Sequence, residues 1–386
     1  MKPLRILIIG AGLGGLAAAA GLQKLGHLVS VFEQASNLGE IGAGIMLTPN
    51  AVRALDYVGA LPEVRSRAVE PEMSYLRHYQ TGEILGERQV EGAYQAEYGT
   101  PMYNIHRADL HHALASVVRS RDPASIQLDH AFEGLGERSD GIETWFGNGR
   151  RYPGDVVIGA DGIRSAVRRV GLGIDSPPRF TNFVAWRGLT PLERLPKRLR
   201  GSSMTSWVSP DRHIIEYAVG DLKNYVALAL QPGWRSETWS TPSSIDEVLE
   251  TFPDWHEDIT TIIKATPSGG SYKFALFDHD PLPSWTRGRM TLLGDAAHAM
   301  LPLMAQGSAM AMEDAAVLSR AFEAAGTPEE ALARYEKARR DRTSWTQLQS
   351  RAAREYYHST DKGKWQAGTQ ERSRVLYTYD VNTVAV

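Results

Sequence analysis

The sequence predicts an α/β fold: a parallel-sheet domain interleaved with an antiparallel-sheet domain and followed by C-terminal helices. Three observations lead there. A short apolar run at residues 4–9 breaks into Gly10-Ala11-Gly12-Leu13-Gly14-Gly15 and then an alanine-rich segment, the strand, turn and helix that open a βαβ unit. Residues 177–271 change to short aromatic and β-branched segments bounded by Pro, Gly and Asp, the pattern of antiparallel strands. Near residue 290 the first pattern returns, an apolar strand running into a helical segment, so the parallel sheet is completed by chain beyond the antiparallel part.

Taken in order, residues 4–9 read as a central parallel strand, buried on both faces. Residues 17–25 are good helix formers stopped by Gly26, and 28–32 form the second strand. Helices are expected near 50–58 and 108–119, and a strand at 155–158 runs into Gly159-Ala160-Asp161-Gly162. Segments 183–189, 213–219 and 225–230 are the expected antiparallel strands, followed by a strand at 290–293 and a helix at 308–324. Thr327-Pro328-Glu329-Glu330 has the form of a capping box with Pro at the first helical position, and a charged helix should follow to about residue 358. The chain after Asp361 carries no readable pattern. With no repeats and no low-complexity linker, the domains are expected to interleave. The parallel-sheet domain takes 1–72, 100–176 and 273–326, the antiparallel-sheet domain takes 73–99 and 177–272, and a helical region and tail occupy 327–386.

The length, 386 residues, fits two or three domains. A formal net charge of -3 gives no reason to expect nucleic acid or an anionic membrane as partner. The absence of cysteine excludes disulfides, thiolate catalysis and cysteine-bound zinc or iron–sulfur clusters, and no metal site is expected. The basic start before residues 6–9 resembles a signal peptide, but glycines interrupt the apolar run and no cleavage-like site follows. The alanine-rich segment 16–22 is too short to cross a bilayer. A soluble, cytoplasmic monomer or homodimer is expected.

In the glycine motif, Gly10 allows the tight turn, Gly12 lets backbone approach a pyrophosphate, and Gly15 lets helix and strand pack closely. The helix N-terminus offers unpaired N–H groups and a positive dipole end. Glu33 ends the second strand, near the spacing of roughly 20 residues at which a carboxylate holds a ribose. Together these predict a Rossmann-like dinucleotide site. Two further segments follow apolar strands: Asp161-Gly162-Ile163-Arg164-Ser165 with Arg168, and Gly294-Asp295-Ala296-Ala297-His298 before Pro302 and Gln306-Gly307. Asp295 can bond ribityl or ribose hydroxyls, or cap a helix. Asp161 can contact a nucleotide, or form a turn. Arg164 and Arg168, taken singly, read as a solvated basic face.

In combination and order these motifs resemble the class A flavoprotein monooxygenases, the single-component aromatic hydroxylases, over residues 4 to about 342. Gly42-Ala43-Gly44-Ile45 with Pro49-Asn50, and His106-Arg107-Ala108-Asp109-Leu110, match the same family. The resemblance implies a Rossmann-like FAD-binding domain and non-covalent FAD. It implies cofactor contacts from Gly10, Gly12, Leu13, Gly14 and Gly15; from Glu33 and Gln34; from Gly44, Met46 and Arg107; and from Asp161, Asp295, Gly307 and Ser308. NADH or NADPH and molecular oxygen would be co-substrates, with oxygen delivered to an electron-rich ring.

Within the family the chain is similar to the salicylate hydroxylase and 6-hydroxynicotinate 3-monooxygenase branch. His298-Ala299-Met300-Leu301-Pro302 matches the former; Met304-Ala305-Gln306-Gly307 and Asp211-Arg212-His213 with Tyr217 match the latter. Met46 stands where the hydroxynicotinate enzyme carries histidine, and Leu303 where both relatives do. The resemblance implies a hydroxylated aromatic or heteroaromatic carboxylic acid as substrate, with decarboxylation where the attacked carbon bears the carboxylate. His213 and Tyr217 are four apart on a strand and share a face. They are the candidate catalytic pair, favouring the ionised ring hydroxyl; packed sheet residues with wet polar tips are the other reading. Met46, Arg187, Met204, Trp207 and Leu303 are candidate substrate-lining residues, with Trp186 beside them and Arg187 either a carboxylate partner or a structural ion pair. A flavin oxidoreductase that inserts no oxygen and an FAD-binding sensor are the rival classes. A halogenase is disfavoured by the lack of a Trp-x-Trp-x-Ile-Pro segment.

Overall fold

The computed structural model describes residues 1–39, 43–233, 240–359, 361 and 369–386. Gly42, one of the expected motif glycines, lies outside them.

The strand Arg5–Ile9 is the middle of a six-stranded sheet. It pairs in parallel with Leu28–Phe32 on one side and Val156–Gly159 on the other. Val156–Gly159 pairs in turn with Met290–Leu292, so chain segments nearly 300 residues apart share one ladder. Ile6, Ile8, Val157 and Ile158 are wholly buried, as apolar β-branched residues in a doubly covered parallel sheet should be. The helix Leu13–Lys24 packs against helix Gly307–Ala324 through small residues, and Ala17 to Ala20 are fully buried.

The turn that starts the first helix requires glycine. Gly10 has φ +105, and a Cβ on Gly15 would stand 2.0 Å from the Gly10 carbonyl oxygen. The helix begins at Leu13 rather than at the expected residue 17, because the turn winds Gly14 and Gly15 directly into it.

The second large sheet has eight strands. In spatial order they are Thr241–Pro242, Ser271–Asp278, Arg179–Pro191, Leu222–Leu230, Arg212–Val219, Met204–Val208, Met73–His78 and Ile84–Gln89. All neighbours are antiparallel except Met204–Val208 with Met73–His78. One face packs on helices Ile245–Thr251 and Glu257–Lys264 through Trp186, Trp207, Ile214, Tyr225, Phe252 and Trp255. Neither helix was expected from the sequence. Nor was the small sheet of Phe132–Arg138, Gly141–Phe146 and Arg151–Gly154, or the ribbon of Gly44–Leu47 with Tyr103–His106. The long helix Pro328–Tyr357 starts at the expected cap, with Thr327 Oγ1 accepting from the Glu330 N–H at 3.2 Å. Past Asp361, where no structure was assigned, Thr369–Tyr377 forms one more helix. This is the interleaved α/β fold with C-terminal helices that the sequence predicts.

Candidate active site

A cavity of about 1150 Å³ lies between the two large sheets, larger than the ~300–1,000 Å³ typical of small-ligand pockets. Its lining comes from both sides. Gly12, Leu13 and Gly14 present the first helix's N-terminus, and Gly307 and Ser308 that of the helix Gly307–Ala324. Asp295, Arg107, Gly44 and Met46 complete the near wall. The far wall is the free face of the eight-stranded sheet, with Arg187, Met204, His213 and Tyr217, and Leu303 lies close by.

On the near wall, a Cβ placed on Gly12 would meet nothing within 4 Å, so backbone N–H groups there are open to a phosphate. The turn is held from behind: the Ala11 N–H donates to Glu33 Oε2 at 3.0 Å, and His111 Nε2 lies 2.7 Å from the Ala11 carbonyl. Glu33 and the exposed Gln34 do not line the cavity; Glu33 also accepts from the Ala35 N–H at 3.0 Å. Gly10 and Gly15 shape the turn without reaching the space.

Asp161 is also absent from the lining. Its carboxylate accepts from Ser165 Oγ at 2.5 Å and the Val167 N–H at 3.0 Å, as a turn-forming aspartate does. Gly162, Ile163 and Arg164 line the cavity instead. Arg168 is buried, donating to the carbonyls of Ala296, Ile163 and Ser176, so it is no solvated basic face. Asp295 does not cap its helix: Gly294 occupies the cap position with φ 63, leaving the Asp295 side chain exposed beside the cavity.

Behind Asp295 sits a buried ion network. Asp314 accepts from the Gly294 N–H at 3.0 Å, His298 Nε2 at 2.6 Å and Arg339 Nε at 2.7 Å. Burial alone would raise this carboxyl, but His298 and Arg339 outweigh it and hold it at about 2. Glu313 joins Arg339 to Arg342 and Asn50. His298 therefore serves this network and does not line the cavity.

On the far wall, strand register fixes the relative positions. Arg187 pairs with Val226 and Val226 with Ile215, while His213 and Tyr217 flank Ile215 by two residues each. At ~3.3 Å per residue the two flanking Cα atoms stand ~13 Å apart on one face. All of these side chains point into the cavity. Trp207 does not: its indole stacks on His256 at 5.3 Å, on the opposite face among the covering helices. Trp186 lies on that face too, since neighbours along a strand alternate sides.

Gly44 brings the two walls together. Its N–H donates to Asn224 Oδ1 at 2.8 Å, and a Cβ there would stand 2.5 Å from Tyr217 Cε2.

Arg187 is half-buried, with its Nε enclosed, and burial lowers its pKa while Tyr217 works the other way. Its Nε has no hydrogen-bond partner, the Phe274 ring lies 5.2 Å from its centre, and among the described residues no carboxylate is paired with it. Burial raises the Tyr217 hydroxyl, so it is a neutral donor. Burial, then His358, pushes His213 well below its ordinary value, so it is a neutral imidazole, and its Nε2 has no partner. Sequence reasoning missed Tyr357 and Tyr377, both cavity-lining, because they come from C-terminal helices without a motif.

The comparisons agree with this geometry. The family described as "FAD binding domain" matches residues 4–349. The 3-amino-4-hydroxybenzoate 2-monooxygenase PtnB3 of Streptomyces platensis is 36% identical, over 92% of this chain and 89% of its own. The 6-hydroxynicotinate 3-monooxygenase of Bordetella bronchiseptica is 36% identical, over 90% of this chain and 90% of its own. A salicylate hydroxylase solved with substrate superposes with a TM-score of 0.83 at 29% identity, covering 99% of this chain and 97% of the other. The open Gly12 turn and the two helix N-termini facing one cavity suit the phosphates and flavin ring of FAD. The chain thus belongs to the FAD-binding-domain family, as an FAD-dependent aromatic monooxygenase.

Proposed function

We propose that this monooxygenase hydroxylates a hydroxylated aromatic or heteroaromatic carboxylic acid, such as salicylate or 6-hydroxynicotinate, using NADH or NADPH and molecular oxygen. The observation that carries the reading is Arg187, a half-buried cation facing the cavity with no carboxylate paired to it among the described residues. A buried unpaired charge is costly, and an anionic ligand would compensate it. The substrates named for the two relatives are both acids of this class.

Non-covalent FAD would be held by the Gly12 to Gly14 turn, Arg107, Asp295 and the Gly307–Ser308 helix start, with Glu33 at the ribose. When bound, it supplies hydride acceptance from the nicotinamide and activation of oxygen for transfer to the ring. The chain's own residues do the rest. Arg187 and Tyr217 fix the carboxylate end of the substrate. His213, neutral and with a bare Nε2, accepts the proton of the ring hydroxyl, because the phenolate is the better nucleophile. Met46, Met204, Val226, Leu228 and Leu303 give an apolar wall that excludes water. With Met46 and Leu303 apolar, recognition falls to Arg187, His213 and Tyr217.

The test is a panel of hydroxylated aromatic acids, their amides and the parent phenols. Each is scored for stimulated NADH and NADPH consumption, oxygen-18 incorporation from labelled oxygen, and carbon dioxide release. Acids preferred over their own amides support the reading. Equal turnover of the parent phenols overturns it in favour of a non-acid phenolic substrate.

A further inference from the structure

We propose that His358, at the C-terminal end of the long helix Pro328–Tyr357, is a positioning residue that accepts the Nδ1 proton of His213, a cavity-lining residue, and so leaves its unpartnered Nε2 free to act as a base. His213 Nδ1 lies 2.8 Å from His358 Nε2. The Tyr357 ring stacks on the His213 ring at 5.1 Å and 23°, holding the imidazole plane. His213 is only 1% exposed, so no water competes for that bond.

Two neutral imidazoles in contact share one proton. If His358 donates it, His213 Nε2 carries hydrogen and can only donate to a ligand. If His213 donates it, Nε2 is a lone pair that can accept. A ring hydroxyl arriving at Nε2 selects the second arrangement. Its proton then moves to His213 Nε2, the ring oxygen keeps the electron pair as phenolate, and the imidazolium is stabilised through Nδ1–H by His358. Without that acceptor the charged ring would be left buried and unsupported.

The surroundings keep His358 neutral, so that its Nε2 can accept. Burial, Arg354 on its own helix and Arg212 at the start of the neighbouring strand all disfavour its protonation and outweigh Asp211, so it is pushed down to about 4. The Phe183 ring packs against it at 5.4 Å. The inference rests on the reading above that the substrate's hydroxyl faces His213.

Three variants of the FAD-loaded protein separate the possibilities: His358→Leu, His358→Gln and His213→Ala. Each is measured for bound FAD, melting temperature, and kcat and KM for hydroxylation from pH 5 to 9. The leucine variant should lose about 10- to 100-fold in kcat with KM little changed. The glutamine variant, whose Oε1 can accept the same proton, should recover to within about 5-fold of wild type. Wild-type kcat in the leucine variant, or equal losses with leucine and glutamine, would overturn the role of His358. If the leucine protein does not fold, the glutamine protein decides: a loss beyond about 50-fold overturns the proposal. Wild-type kcat in His213→Ala would instead sink the reading of His213 itself. A loss there with none at His358→Leu confines the failure to the present inference.

Discussion

Replacing Arg187 by methionine removes the cation while keeping most of the buried volume. A charge-assisted bond to a substrate carboxylate is worth about 1.5–3 kcal/mol. At about 1.4 kcal/mol per decade, the acid should bind about 10- to 150-fold more weakly. The amide of the same substrate, whose carbonyl can still accept from the guanidinium but carries no charge to pair with it, should be weakened distinctly less. The two ligands are titrated against the change in flavin absorbance, and KM is followed in parallel by NADH oxidation. A second readout is independent of substrate. Because the free protein half-buries a guanidinium with no carboxylate paired to it among the described residues, its removal should leave the ligand-free melting temperature unchanged or raise it. Equal weakening for acid and amide, or a fall of several degrees in the ligand-free protein, would refute the assignment and make Arg187 a structural residue.

Four further outcomes are expected. Glu33→Ala should retain FAD about 10- to 150-fold less tightly, since one bond to a charged acceptor is lost; fluorescence of released flavin measures it, and unchanged affinity would remove Glu33 from the ribose. Asp295→Ala should lose flavin occupancy while its flavin-free form melts where the flavin-free wild type does, because Gly294 and not Asp295 caps the helix; flavin absorbance and the melting of both flavin-free proteins decide. Tyr217→Phe should lower the ratio of hydroxylated product to NADH consumed, with the balance appearing as hydrogen peroxide, and wild-type coupling would make Tyr217 ordinary packing. Stability should fall on acidification between about pH 6.5 and 4. His213 and His358 are depressed in the folded state, so over that window the unfolded chain binds protons that the folded one refuses. The fold keeps its full share above the unfolded value, and His358→Leu should flatten the melting-temperature profile there.

How much of this could be read beforehand depended on whether the signal was local. The strand at 28–32 was bounded correctly because its apolar residues and flanking polar ones suffice to place it. The first helix was started late because Gly14 and Gly15 are poor helix formers. Their reason for being there is tertiary, the close passage of the Gly10 carbonyl. The faces of the substrate sheet were legible by parity, which also shows why one candidate failed: Met204 and Trp207 are three apart on one strand and cannot share a face. Arg187, His213 and Tyr217 obey the rule and meet in one cavity. His358 was beyond reach, since its partner is 145 residues away and no spacing within a charged helix announces such a contact.

The long C-terminal helix gives the architecture a ruler. Arg339 and Arg342 anchor it to Glu313 and Asp314 under the flavin side, while Tyr357 packs on His213 at the substrate side. The 18 residue steps from Arg339 to Tyr357 span ~27 Å of helix at 1.5 Å per residue. A single inserted residue in that stretch would shift the far end by ~1.5 Å and rotate it ~100°, carrying Tyr357 off its seat while both sheets stand untouched. A substitution at a surface position along the helix should therefore disturb the site less than a one-residue insertion or deletion between the two anchors, as variants of each kind would reveal.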